Sequence, residues 1–301
     1  MTPNPAMKPT PSTAVAAYLG LGLVWGTNFV FMTLAAPYLS AAQTTLLRVA
    51  FGLLPVLVFA LATRSIARWH LRHAHHFVVM AVLAAGLYYY AYAAGTYRLD
   101  SGIAGALSGS IPLFVFLAAV LVLRTEEFTR RKAAGLALGV CGVLVLTRPW
   151  TAGAVDPVGV LLMLGGSASL GASFAYARRF ISPLGIPAPA SATYQLALAA
   201  VGLGVITDLD GITAVTADPL AAAAVILGLG ALGTGVAFIL YYVAIAGLGA
   251  VAASTATYIP PVIALVIGTV VLHEPLLPSA VLAVGLLLLA AVVTQTGRAA
   301  R

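Results

Sequence analysis

The sequence predicts an all-α membrane protein of ten transmembrane helices, built as two inverted five-helix repeats. Three observations predict it. The first is composition. Of 301 residues, 61% are hydrophobic and only 8% are charged. So few charges cannot cover a water-soluble domain, and lipid is the solvent for most of the chain. The apolar runs are long and continuous, as spanning helices require, and lack the alternation of barrel strands. The second observation is a repeat. Ala104 to Glu126 and Ala252 to Glu274 are each one apolar stretch with Ile-Pro near its middle and an acid at its end. The spacing from Pro112 to Glu126 equals that from Pro260 to Glu274. Matched, proline-broken membrane segments mark a carrier made of two halves. The third is charge placement. With both termini on one side, twelve of the 15 Lys and Arg fall on that side. Only Arg98 and Arg148 fall on the other, and Arg48 lies within a span. The second side instead carries Asp100, Asp156, Asp208, Asp210, Asp218 and Glu274. The positive-inside rule puts both termini in the cytoplasm and requires an even number of spans. Five spans per half is odd, so the second copy crosses in the opposite sense.

The first span, 13–36, has only Lys8 ahead of it and is longer than the apolar core of a signal peptide. Its Trp25-Gly26-Thr27-Asn28-Phe29 lines up with Leu170-Gly171-Ala172-Ser173-Phe174, which a removable leader would not do. An amide in lipid needs partners, so Asn28 faces inward, to another helix or to cargo. Trp25 offers an apolar face with one donor, for packing or for cargo. The second span, 41–63, holds Arg48, which is costly at membrane depth. It either pairs with a cargo carboxylate or gates the path, or it snorkels outward to helix-end carbonyls. The third, 74–97, crowds Tyr88, Tyr89, Tyr90 and Tyr92 into its outer half. The fourth, 101–123, is broken at Pro112, beside Ser108 and Ser110. Proline removes one helix hydrogen bond, and a carbonyl freed at that depth can face a cavity. The alternative is a kink for packing alone. The fifth, 131–148, is glycine-rich and holds the single cysteine, Cys141, which has no disulfide partner in the chain.

The sixth, 157–177, carries Ser173 at the position matching Asn28. The seventh is 187–207. The eighth, 219–246, holds Tyr241 and Tyr242 in its inner half, toward the opposite mouth from the tyrosines of the third. One tyrosine of each cluster is expected to help close a gate, with Tyr89, Tyr241 and Tyr242 as candidates. The ninth, 250–272, repeats the break at Pro260, beside Thr257 and Tyr258, and the tenth is 278–296. The halves divide into 1–150 and 151–301.

These residues resemble the ten-span, EamA-like branch of the drug/metabolite transporter superfamily. The likeness rests on Val24 to Phe29, on the two proline segments ending near Glu126 and Glu274, and on Gly135, Gly139 and Gly142 after Glu127. It covers nearly the whole chain, although the tenth span has only Gly285. The resemblance implies export of small metabolites, amino acids among them, across the bacterial inner membrane. Aromatic amino acids are the cargo it suggests.

The expected function is secondary transport by alternating access. Candidate cargo contacts are Trp25, Asn28, Tyr90, Ser110, Pro112, Ser173, Tyr258 and Pro260, in a cavity lined by spans one, three, four, six, eight and nine. No Asp or Glu lies deep in a span, so the cargo is neutral or zwitterionic rather than a permanent cation. Glu126 and Glu274, at span ends, are read as caps or anchors. The partners are a small-molecule substrate and membrane lipid, with the chain a monomer or homodimer. No cofactor or metal is expected. The net charge of +7 is topological and does not point to nucleic acid. Gly228-Leu-Gly230-Ala-Leu-Gly233 matches a dinucleotide pattern, but no strand precedes it, and close helix packing explains it. The histidines at 70, 73, 75 and 76 read as a basic loop on anionic headgroups. A membrane enzyme acting on lipid-soluble substrate and a passive channel are the alternatives. The first needs convergent acids, histidines or a metal; the second needs a continuous polar stripe.

Overall fold

The computed structural model describes residues 9–123, 128–148, 150–151, 155–249, 252–253 and 255–295. Glu126 therefore lies outside the described residues. All regular structure among the described residues is helical, and it forms ten rods. They are α1 (Pro11–Ala35), α2 (Ala41–Ala62), α3 (Arg68–Thr96), α4 (Ser101–Leu121) and α5 (Arg130–Thr147). The second half has α6 (Pro157–Leu184), α7 (Ala188–Ile206), α8 (Pro219–Leu248), α9 (Thr255–Val271) and α10 (Pro278–Gln295). Seven of these, α1 to α4 and α6 to α8, are long and apolar enough to cross a membrane, and α9 and α10 are shorter apolar helices. The fifth begins with Arg130, Arg131 and Lys132.

Local chemistry starts the rods where they start. Prolines occupy the first turn of α1, α6, α7 and α8, where no backbone donor is lost. Ser40 and Gln43 form a reciprocal capping box on α2, at 3.2 and 3.0 Å. Asp156 and Asp218 accept from the first free amides of α6 and α8. The cap of α4 comes from elsewhere. Asp100 precedes that helix but makes no side-chain cap. Glu274, in the loop between α9 and α10, accepts instead from the amides of Ser101 (2.7 Å) and Gly102 (2.9 Å).

The packing pattern repeats. Helix α1 packs on α8 and α9, as α6 packs on α3 and α4. Helix α2 packs on α8, as α7 packs on α3. The pairs α2 and α7, α4 and α9, and α5 and α10 each pack on one another. Advancing every helix by five maps this pattern onto itself, so a pseudo-two-fold axis relates the halves. Each half crosses an odd number of times, which puts that axis in the membrane plane.

Two features depart from simple α-helices at matched places. In α3, residues Ala81–Leu87 form wider π-type turns, and in α8, Ala224–Val236 do the same. A further π-type turn, Ala177–Ile181, carries α6 past the end expected at 177. The proline breaks also match. Helix α4 runs as Ser101–Ser108 and then Ile111–Leu121, joined by tight turns at Gly109 and Ser110. Helix α9 begins as a tight turn over Thr255–Tyr258 and becomes α-helical at Ile259.

The largest buried cluster lies in the half of the bundle toward the acidic loops. It joins Phe29 and Met32, Tyr92, Leu107, Met163 and Leu229 from five different rods. Glycines let the rods approach. A Cβ on Gly230 would lie 2.6 Å from Phe51, and one on Gly228 would lie 2.6 Å from Phe31. The Gly228–Gly233 pattern is therefore a packing face on α1 and α2.

Candidate functional site

A cavity of about 370 Å³ lies near the mid-length of the rods, between the halves. Helix α1 supplies Trp25, Asn28, Phe29 and Met32, the three- and four-residue spacing of a single helical face. The matched helix α6 supplies Leu170, Ser173 and Phe174. Pro112 of α4 and Pro260 of α9 both reach the cavity, with Ser108 and Thr257 beside them. The equivalent positions of the repeat thus meet in one space: Trp25 with Leu170, Asn28 with Ser173, Phe29 with Phe174, Pro112 with Pro260.

Helices α3 and α8 close the sides through their π-type turns. Past the turns of α3, Tyr88, Tyr89 and Tyr92 face the cavity; in α8, Gly233 and Thr234 face it from within the π-type turns and Phe238 and Tyr241 from just beyond them. Tyr241 packs on Trp25, ring centroids 6.1 Å apart, and Tyr92 packs on Phe29 at 6.0 Å. The hydroxyl of Tyr92 meets Ser167 at 2.9 Å, so this ring is held from behind.

Arg48 points inward and is only 4% exposed. It does not snorkel. Its Nε donates to Thr234 Oγ1 (3.0 Å), and its guanidinium carbon lies 4.0 Å from the centroid of the Tyr89 ring. Thr234 in turn donates to the carbonyl of Leu229 at 3.0 Å. Asn28 is buried, and its Oδ1 has no hydrogen-bond partner among the described residues. No Asp or Glu is among the lining residues. The site offers aromatic and aliphatic walls, a few fixed dipoles and one positive charge. It can hold a small, mostly apolar solute by an end that hydrogen-bonds.

The model of the EamA-like transporter family matches residues 12–148 and again 157–296. The chain belongs to the EamA-like transporter family. Each of the two matches spans one five-helix half. A search of curated proteins gave no match. Among solved structures 25 chains match; one, described only as a crystal structure of a protein, is 18% identical with a TM-score of 0.61. That match covers 97% of this chain and 100% of the other, and it shows a shared fold.

In this EamA-like transporter, eight of the twelve sequence-derived candidates line the cavity: Trp25, Asn28, Arg48, Tyr89, Pro112, Ser173, Tyr241 and Pro260. Four do not. Tyr90 is 44% exposed on the outside of α3, because a step of one residue turns it away from Tyr89. Ser110 lies behind the wall and donates to Ser167 at 3.1 Å, tying α4 to α6. Tyr242 donates to the carbonyl of Ala188 (3.0 Å), which secures α8 to the start of α7. Tyr258 is half-buried, and its hydroxyl has no partner among the described residues. Two lining helices were missed as well. Helix α2 enters through Arg48, and α7 enters through Gln195. Gln195 is a lone amide in an apolar span, the same signal that singled out Asn28. Among the histidines, His70 is buried against Trp69 and Tyr194 rather than spread on headgroups.

Proposed function

We propose that this transporter exports small neutral or zwitterionic metabolites, aromatic amino acids among them, across the bacterial inner membrane. The basic end faces the cytoplasm, as the distribution of Lys and Arg argues. The mechanism is alternating access. Each half adopts one of two conformations, and their exchange opens the shared cavity to one side and then to the other. The observation that carries this reading is the cavity itself. It lies on the pseudo-two-fold relation, is lined by matched residues of both halves, and holds aromatic faces without a carboxylate. A carboxylate-free site does not favour permanent organic cations, and aromatic walls such as the tilted pair of Trp25 and Tyr241 suit flat apolar cargo.

The test is flux through liposomes that contain only this protein. Saturable uptake of an aromatic amino acid, accelerated by the same cargo on the far side, supports the carrier. A rate that rises linearly with concentration and ignores the far side would instead make the protein a passive channel.

A further inference from the structure

Arg48 has every feature of a held cation that lacks its counter-ion. It is buried, at 4% exposure, in the wall of the cavity. Thr234 fixes it through Nε, and the Tyr89 ring lies against the guanidinium plane. These two contacts orient the group and leave both Nη atoms without a hydrogen bond to any described residue. No carboxylate approaches it. The described acids, Asp100, Asp156, Asp208, Asp210, Asp218 and Glu274, all sit in the loops about two turns beyond Arg48, and none lines the cavity or pairs with it. The single ion pair among the described residues, Arg98 with Asp156, is in those loops too. A charge in a membrane span is normally matched by an opposite charge or by backbone carbonyls. Here one neutral hydroxyl and one ring stand in their place.

We propose that the missing partner is the cargo: Arg48 anchors a carboxylate on the transported molecule. This inference rests on the transport reading above and revises its cargo class. The carboxylate becomes the required group and the amine an optional one, so monoanions join the zwitterions and wholly neutral cargo drops out. The guanidinium fork suits the two oxygens of a carboxylate, which it binds by parallel hydrogen bonds. The amide of Gln195, in the wall of the same cavity, adds a donor there. The rest of the wall is apolar and aromatic, so the remainder of the cargo is too. Charge balance selects a monoanionic group. One guanidinium neutralises one negative charge, and the lining residues include no second cation for a phosphate dianion. A cationic amine without a carboxylate meets repulsion from Arg48 and no acid to offset it.

A matched series decides the matter: 3-phenylpropionate, phenylalanine, 2-phenylethylamine and 3-phenylpropanol share a ring and differ in charge. Each is assayed by saturable flux in proteoliposomes and by thermal shift of the purified protein. The first two should bind at least about tenfold more tightly than the alcohol, the scale of a charge-assisted hydrogen bond, and the amine should not bind. Arg48→Gln should lower affinity for both carboxylates to that for the alcohol and leave the alcohol unchanged. Arg48→Lys should restore part of the difference. A purely structural arginine would instead make all four compounds suffer alike. Equal binding of the alcohol or the amine by the unmodified protein overturns the anchor even if no variant folds, while saturable flux keeps the transport reading. An absence of saturable flux and of thermal shift for all four overturns both.

Discussion

Gly233 faces the amide of Asn28 so closely that a methyl group there would collide with Oδ1 and would come within 2.7 Å of the carbonyl of Gly228. One of the contacts is backbone and does not swing aside. Gly233→Ala should destabilise the protein by about 1–3 kcal/mol, seen as a lower melting temperature in detergent. Asp100 makes the opposite prediction. Burial first, and the nearby Glu274 second, raise its carboxyl above the ordinary value of 3.8. A raised pKa means that the fold favours the neutral acid. The cost of ionising it appears as pH climbs from the ordinary value through the raised one, and it persists above. Asp100→Asn removes that cost, so it should raise the melting temperature at about pH 7 and leave it unchanged at about pH 3, where the acid is protonated in both states. Residue-scale reading of the sequence worked where a single polar group stood alone in an apolar span. Asn28 and Arg48 were legible for that reason, and Gln195 satisfied the same rule without being singled out. Tyr88 to Tyr92 were not separable. Neighbouring rings point all round a helix, and the count that sorts them into faces had already slipped by the π-type turns that begin at Ala81.

The two broken helices are the elements where sequence and structure agree most directly. Proline at 112 and at 260 opens each rod next to the cavity, with a hydroxyl residue before the break. Restoring the missing donor at 112 lets that helix run through, and at 260 the adjacent Pro261 must be replaced as well. Pro112→Ala and the double change Pro260→Ala with Pro261→Ala should each slow flux several-fold, whereas His73→Ala and His75→Ala, outside the cavity lining, should not. Equal effects would make the prolines ordinary packing kinks. The π-type turns had no comparable signal. An extra residue in a turn follows from packing against neighbouring rods, and glycine-rich stretches such as Gly228 to Gly235 permit it without demanding it. The number and order of spans, by contrast, followed from hydropathy and charge placement alone, because lipid leaves a backbone no other solution.

At the scale of the whole molecule, inverted symmetry makes the conformation readable by comparing equivalent places. The first turns of α4, Ser101 to Ser108, are buried throughout. Their counterparts ahead of Pro260 include exposed Ala252 and half-buried Thr255. Tyr92 and the cluster around it are buried, while the corresponding stretch of α8, from Leu240 to Val243, is only half-buried. The bundle is closed toward its acidic loops and looser toward its basic end. In a Cys141→Ser background, a cysteine at Phe238 should therefore react with a small water-soluble thiol reagent faster than one at Met32, and cargo should slow the first reaction. A faster reaction at Met32 would mean that the acidic end is the open one.

The carboxylate of Glu274 has a consequence beyond its own helix. It belongs to the later half of the chain, yet the two amides it satisfies begin a helix of the earlier half. A fragment ending near residue 150 would keep five spans and still start its fourth with bare donors at the membrane boundary, beside unfilled faces on α2 and α5. Such a fragment should be degraded when produced alone and rescued when the remaining residues are supplied as a separate polypeptide, because neither duplicate completes itself.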